Sequence, residues 1–403
     1  MSLQVTCGNC RKQFVAPDHF AGRTANCPSC SASILIPYSG ASEQAGPPQP
    51  ATSTGGAFQA VTSSGTRPGP TPEKSLTGLW IVLAAVGIFG VLGCAGLIAA
   101  YFVGGGVASA KPVTADINYA AAPVSEFEAL PTFVEVLPGV QKGIAEVGVE
   151  SGPGSADKLY IFRPANASEG SLPCVFVAAA GATAFSGMNI AEGDVPELLP
   201  YAEAGFVVVG YETDGELNGE SLLAVRRAFY TYRASQAGLV NARNAIDYAL
   251  KNLPEIDPER LYTAGHSSAG GQALLLAAHE PRIRGCVAFN SVTDNEKWLA
   301  EDYGALVSAL PRGGDECLRQ WSPRTHEALI NCPVLLFHSE ADQNVDASQS
   351  KDAARRMKQL GKDVKLVVVP RGDHYNSMIV EGIPAAVTWL KTLAGLDDAE
   401  TEK

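Results

Sequence analysis

The chain has 403 residues with a hydrophobic fraction of 46%, long and apolar enough for one large domain with a substantial core and smaller pieces beside it. Its formal net charge of −12 is unevenly spread: residues 1–110 hold five Lys/Arg and three Asp/Glu, whereas residues 111–403 hold 25 against 39, a net of −14. So acidic a C-terminal part is repelled by phosphate backbones, which argues against nucleic acid as its partner.

Four of the nine cysteines open the chain as Cys7-x2-Cys10 and Cys27-x2-Cys30, with sixteen residues between the two knuckles. Each knuckle can offer two thiolates from a tight turn, so Cys7, Cys10, Cys27 and Cys30 are the expected tetrahedral ligands of one structural zinc. Only Phe14, Val15 and the run Ile34 to Pro37 supply apolar surface nearby, so the metal rather than a core must hold residues 1–38 together. With Ala21-Gly22-Arg23 leading to Cys27-Pro28-Ser29-Cys30, the segment resembles the zinc ribbons at the N-termini of many bacterial membrane proteins. Such ribbons usually bind proteins or have no known role, four cysteines leave a nucleic-acid role open, and a cytoplasmic protein docked on the ribbon belongs with the scaffold alternative below.

Residues 39–75 are rich in Pro, Gly, Ser, Thr and Ala and read as a disordered linker. Between Lys74 and Lys111 no residue is charged, and Leu79 to Val103 is a 25-residue apolar run. At about 1.5 Å per residue such a run crosses a hydrocarbon layer of roughly 30 Å, so residues 76–104 are expected to form a transmembrane helix. Trp80 and Tyr101 sit near its two ends, where amphipathic rings favour the interface. A cleavable signal peptide is the rival reading, opposed by the length of the run and of the chain ahead of it. Arg67 and Lys74 before the run, against Lys111 after it, favour a cytoplasmic N-terminus. Free thiolates at the zinc site favour the same side. A second linker, 105–125, then leads to a domain expected over 126–398 outside the cytoplasmic membrane.

In that domain short apolar runs alternate with helical stretches. Residues 158–162, 174–178, 206–211, 261–264, 285–289, 334–338 and 364–369 read as strands, and their nearly continuous apolar character marks strands buried on both faces. Residues 236–253, 347–361 and 379–393 carry apolar side chains at helical spacing. The alternation predicts an α/β fold with a doubly wound, mostly parallel sheet, whose ligands sit beyond the carboxyl ends of the strands.

One such end is Arg260 to Gly271, where a short strand breaks at Gly265-His266-Ser267 and runs into a helix expected from Gln272 to His279. A serine on a sharp strand-to-helix turn is lifted clear of the backbone while the following N–H groups aim at the same point, which makes Ser267 the candidate nucleophile. A hydroxyl needs a base, and the base needs a partner that fixes its tautomer. Downstream, the strand ending at His338 leads to Asp342, and the strand ending at Val369 leads to His374. The order Ser, Asp, His suits a triad on such a sheet. Glu340, Asp346 and Asp373 read as surface carboxylates and His266 as a structural neighbour of the nucleophile. His279, His326 and His338 carry no special context. Phe185, Trp298, Tyr303, Trp321 and Tyr375 are assigned no role.

The segment Asp257 to Gly271, followed by Ser322-Pro323, the stretch Cys332 to Val345 and Gly372-Asp373-His374, resembles the catalytic domain of the prolyl oligopeptidase and dienelactone hydrolase branch of the α/β-hydrolases over roughly residues 130–395. The resemblance implies Ser267 as nucleophile, Asp342 as acid and His374 as base, with the N–H groups of Ser268 and of a residue near Ala182 as the oxyanion hole. Three positions depart from the pattern: Ala269 replaces a glycine, Ser339 and Asp346 replace a glycine and a proline around the acid, and the His-Gly-Gly motif is Ala180-Gly181-Ala182. Backbone N–H groups can bind an oxyanion whatever the side chain. The expected activity is hydrolysis of a small carboxylic ester or peptide. The alternative is a degraded hydrolase fold serving as a binding or scaffold module. The stretch from 104 to about 150 has no room for the propeller that gates prolyl oligopeptidases. Cys317 and Cys332 could form a disulfide outside the cytoplasm, though two buried thiols is the simpler reading.

Two outcomes test the N-terminal half. Residues 1–40, reduced and purified, should retain one equivalent of zinc by metal analysis, and less than about half an equivalent would refute the ribbon. Protease added to intact cells should remove the acidic domain and spare the ribbon, whereas the reverse digestion pattern would invert the topology.

Overall fold

The computed structural model describes residues 2–6, 12–17, 24–26, 33–35, 130–146, 158–219 and 221–396. It divides into a unit within residues 1–74 and a unit within residues 75–403. In the first, β1 (Ser2–Thr6) pairs antiparallel with β2 (Gln13–Pro17), and β3 (Thr24–Asn26) with β4 (Ser33–Leu35). The four cysteines expected to bind zinc, both linkers and the run Leu79 to Val103 lie outside the described residues. Among the described residues no helix is long and apolar enough to cross a membrane, and no group of three or more potential metal ligands occurs.

The second unit is built on a nine-stranded sheet: β5 (Val134–Leu137), β6 (Val140–Glu146), β7 (Lys158–Pro164), β8 (Leu172–Ala178), β9 (Val207–Tyr211), β10 (Ile256–His266), β11 (Ile283–Phe289), β12 (Val334–Ser339) and β13 (Val364–Val369). In space they run β5-β6-β7-β9-β8-β10-β11-β12-β13, with β9 to β13 all parallel and β5 to β7 antiparallel at one side. All seven expected strands are present. The two unexpected ones, β5 and β6, are short or half-exposed, so they lack the continuous apolar run that betrays the others.

Alternate residues of the parallel strands face opposite layers. Val175, Val177, Val287, Leu335 and Phe337 pack on one side with α1 (Val195–Glu203) and, at the end of the chain, α6 (Ile383–Ala394). Phe176, Cys286, Ala288 and Leu336 pack on the other with α3 (Leu239–Asn252) and α4 (Ser268–His279). Burying a Phe, Leu or Val side chain contributes about 1.5–3 kcal/mol, so this double-sided core dominates the stability of the unit.

Boundaries moved where backbone conformation overrode periodicity. Gln236, Ala237 and Gly238 all have positive φ, so α3 starts at Leu239 rather than at Gln236. Helix α1 was hidden by Pro196 and Pro200, and it forms because Leu198, Tyr201 and Ala202 are buried. Helix α2 (Leu222–Ala234) starts at Ser221, whose hydroxyl accepts from the Ala224 N–H at 3.1 Å. Helix α5 (Ser348–Gln359) lies within the stretch expected from 347 to 361, and a π-helical turn at Met378–Gly382 precedes α6. Several short helical turns occupy residues 295–329, the excursion between β11 and β12. Cys317 and Cys332 are free, buried thiols, as are Cys174 and Cys286.

Candidate active site

Strand β10 turns into α4 at Ser267, whose φ of 55° and ψ of −118° lie where a residue with a side chain is strained. Three hydrogen bonds hold it there: its N–H donates to Phe289 O at 2.9 Å, and its carbonyl accepts from Gly271 N and Val292 N, each at 3.3 Å. The turn closes only because Gly265 lacks a side chain, since a Cβ there would stand 2.2 Å from the Ala269 carbonyl oxygen. Ala269 itself fits, fully buried. The close approach falls one place later, where a Cβ on Gly270 would lie 2.5 Å from that of Ser291, and one on Gly271 would lie 2.7 Å from Val292 O. The helix therefore begins at Ser268, one turn ahead of the expected Gln272, and directs its first N–H groups at the serine.

Asp342 lies beyond the carboxyl end of β12, its side chain wholly buried. Its Oδ1 accepts from Asn344 N at 2.8 Å and Val345 N at 3.0 Å, and its Oδ2 lies 2.7 Å from His374 Nδ1. Burial opposes ionisation of this carboxyl, but the bond and charge of His374 and the two backbone N–H groups outweigh it, holding the pKa below the ordinary value. A carboxylate at Nδ1 leaves His374 with Nε2 as the nitrogen free to accept a proton.

His374 sits on the loop after β13, and its backbone is clamped: its carbonyl accepts from Asn290 Nδ2 at 2.6 Å and faces His266 Nε2 at 2.9 Å. The rings of His266 and His374 lie 4.5 Å apart, which places the base loop against the residue immediately before Ser267. Asn290, with a left-handed φ of 43°, also accepts from Ser339 N through Oδ1 at 3.0 Å, so one side chain joins the ends of β11, β12 and β13. Ser339, which departs from the family pattern, donates from its hydroxyl to Gly372 O at 2.6 Å and ties the acid loop to the base loop. Asp346, the other departure, accepts from Ser348 N at 2.8 Å at the start of α5. Glu340 is a surface carboxylate paired with Lys351, and Asp373 accepts from the N–H groups of Tyr375 and Asn376.

Ala182 is buried in the segment that follows β8. The next residues, Thr183 and Ala184, line one small cavity together with Ser268, which brings the two expected oxyanion segments to the same place. Trp298 and Trp321, left without a role by the sequence, line that cavity as well, and so do Tyr232 and Gln272. Tyr375 lines a separate cavity with His374, while Phe185 is core. Asn290 and Gln272 are the residues that sequence reasoning missed. A left-handed asparagine after a strand has no signature of its own, and a glutamine inside an Ala/Leu-rich helix reads as an ordinary helical residue.

The other histidines are structural. His338 is buried, with Nδ1 2.7 Å from Ser350 Oγ and Nε2 2.8 Å from Val345 O. His279 Nε2 lies 3.0 Å from His326 Nδ1, and His326 Nε2 lies 2.6 Å from Gln320 O.

Residues 198–396 match the model of the prolyl oligopeptidase family. The uncharacterized peptidase YuxL of Bacillus subtilis (strain 168) is 28% identical over 139 residues, 32% of this chain but only 21% of that relative's length. An acetyl xylan esterase from Paenibacillus sp. R4 superimposes with a TM-score of 0.51 at 15% identity, covering 69% of this chain and 92% of that one. The acylaminoacyl peptidase of Pyrococcus horikoshii gives a TM-score of 0.45 at 17% identity, over 69% of this chain and 42% of that one.

Burial makes the site sensitive to acid. His266 is driven from 6.5 to about 3, first by burial and then by the neighbouring His374, and burial also lowers His326 and His338. Between those two values the unfolded chain binds more protons than the folded one, so the contribution of His266 to stability is present above about pH 6.5 and is lost as pH falls toward 3. Urea midpoints between pH 7 and 5 should therefore fall, and His266→Asn should flatten the slope by up to about 1.4 kcal/mol per pH unit. Identical slopes for parent and variant would contradict this.

The nine-stranded sheet, the strained turn at Ser267 and the superposition on the esterase give the chain an α/β-hydrolase fold, and residues 198–396 resemble the prolyl oligopeptidase family of serine hydrolases.

Proposed function

We propose that this hydrolase cleaves carboxylic esters of small acids through Ser267, His374 and Asp342, by way of an acyl-enzyme. The observation that carries the reading is the 2.7 Å bond from the buried Asp342 carboxylate to His374 Nδ1, on a loop packed against the Ser267 turn. His374 Nε2 takes the Ser267 proton as Oγ adds to the ester carbonyl, and Asp342 balances the imidazolium charge. The N–H of Ser268, with one near Ala182, holds the oxyanion. Collapse of the tetrahedral adduct breaks the bond to the leaving oxygen, which receives the proton from His374. Water, deprotonated by the same nitrogen, then releases the acid and restores Ser267. A small peptide fits the same chemistry.

We further propose that Leu79 to Val103 anchors the enzyme in a membrane, N-terminus in the cytoplasm, with a zinc ribbon at Cys7, Cys10, Cys27 and Cys30 as a docking module. The uncharged run and the two paired knuckles support this reading.

Ester hydrolysis should fall about 10⁶-fold in Ser267→Ala and His374→Ala and about 10⁴-fold in Asp342→Asn, with double changes adding little to the singles. A fluorophosphonate probe should label the parent and not Ser267→Ala. Unlabelled parent protein, or turnover that survives Ser267→Ala, would discard the triad and leave a scaffold module in its place.

A further inference from the structure

Two cavities, one lined by His374 and one lined by Ser268, differ in chemistry. One, of about 500 Å³, holds His374 with Gln343, Asn344, Tyr375 and Asn376. The other, of about 30 Å³, is formed by Ser268, Gln272, Tyr232, Thr183, Trp298 and Trp321, among others. Because the leaving oxygen must collect its proton from His374, the leaving group belongs in the larger cavity. The acyl chain, on the other substituent of the same carbonyl carbon, is then directed to the smaller one.

That smaller cavity is polar in a specific way. Gln272 is 5% exposed, and its Nε2 donates to Tyr232 Oη at 3.1 Å, while its Oε1 is buried without a partner. The Ser268 hydroxyl is likewise buried without a partner. Two buried, unpaired polar groups on residues that line one small cavity cost free energy until a ligand or water reaches and satisfies them. Among the described residues no Asp, Glu, Lys, Arg or His lines the cavity, so nothing there balances an ammonium or a carboxylate. A neutral hydroxyl does satisfy both groups, donating to Gln272 Oε1 and accepting from Ser268 Oγ. Were the amide turned over, the hydroxyl would accept from Nε2 and donate to Ser268 instead, whereas a methyl group serves neither arrangement. The volume has room for one or two water-sized groups, hence for a chain of about two heavy atoms past the carbonyl.

We propose that this cavity is the acyl subsite and that Gln272, with Ser268, makes the enzyme selective for esters of short 2-hydroxy acids. The inference rests on Ser267 as the nucleophile and adds the substrate class. Its test compares kcat/KM of the full-length protein for 2-hydroxyacetyl, acetyl and butyryl esters of one phenol, each divided by its rate with hydroxide. The parent should prefer 2-hydroxyacetyl over acetyl by about tenfold or more, with butyryl poorer still. Gln272→Leu should bring the 2-hydroxyacetyl to acetyl ratio near one. Should Gln272→Leu not fold, as judged by its urea transition, Ser268→Ala should lower the same ratio about threefold or more. Equal use of acetyl and 2-hydroxyacetyl esters by the parent, an unchanged ratio in the variant, or efficient butyryl hydrolysis would overturn the assignment. Fluorophosphonate labelling of the parent separates the two levels: a labelled enzyme without the preference sinks the subsite alone, and an unlabelled one sinks the nucleophile and the subsite with it.

Discussion

Everything at this site depends on the reversal of the chain at Ser267, where a strand of the sheet becomes a helix within one residue. The positive φ of that serine is a conformation that costs of order 1–3 kcal/mol, and it persists only because its surroundings over-determine it. The glycine two places earlier lets the Ala269 carbonyl come within a distance that no Cβ tolerates. Hydrogen bonds to Phe289, Gly271 and Val292 lock the peptide units on either side. The apolar layers of the sheet supply the free energy that sustains the strain, so the turn at Ser267 is a local minority conformation supported by a distant majority of buried side chains.

Asp342 and His374 are held by a different device. Neither sits on a regular element, so the precision that a helix or strand would confer comes from side-chain bonds between loops. Asn290 reaches from the end of β11 to the carbonyl of His374 and to the backbone of Ser339, and Ser339 reaches in turn to Gly372. His266 adds its ring to the same carbonyl from the strand that leads into Ser267. Four strand ends are thereby fastened to one another at the face where the sheet delivers its loops. Two of the departures from the family pattern fit this arrangement: the serine in place of glycine supplies one of the fastenings, and the aspartate in place of proline starts a helix. A third, Ala269, is accommodated because the tight approach has moved to Gly270 and Gly271.

Electrostatically the site keeps its neighbours neutral while leaving one carboxylate charged. Burial pushes His266 and His338 toward the uncharged form, and both flank the Asp342–His374 pair without competing for its proton at neutral pH. Asp342 escapes the same fate because three donors converge on it. The cavity beside Ser268 extends the pattern, being lined by neutral polar and aromatic groups.

What could be read in advance divides along a physical line. The amino-acid sequence by itself determined the parallel strands, because burial on both faces demands uninterrupted apolar runs, and it marked the sharp strand-to-helix turn at Ser267, because a glycine at a strand end followed by small residues permits so abrupt a reversal. It also ordered Asp342 and His374 after that serine, each just past a strand. Proline, left-handed residues and half-exposed edges concealed α1, the start of α3 and strands β5 and β6, since in each of these packing outweighs local preference. Only the tertiary structure decided that Asn290 and Ser339 bind the loops together and that Gln272, Tyr232 and Trp321 join Ser268 around one cavity. Such contacts join residues dozens of positions apart through single side chains, and a hydrogen bond between distant residues leaves no periodicity in the chain to announce it.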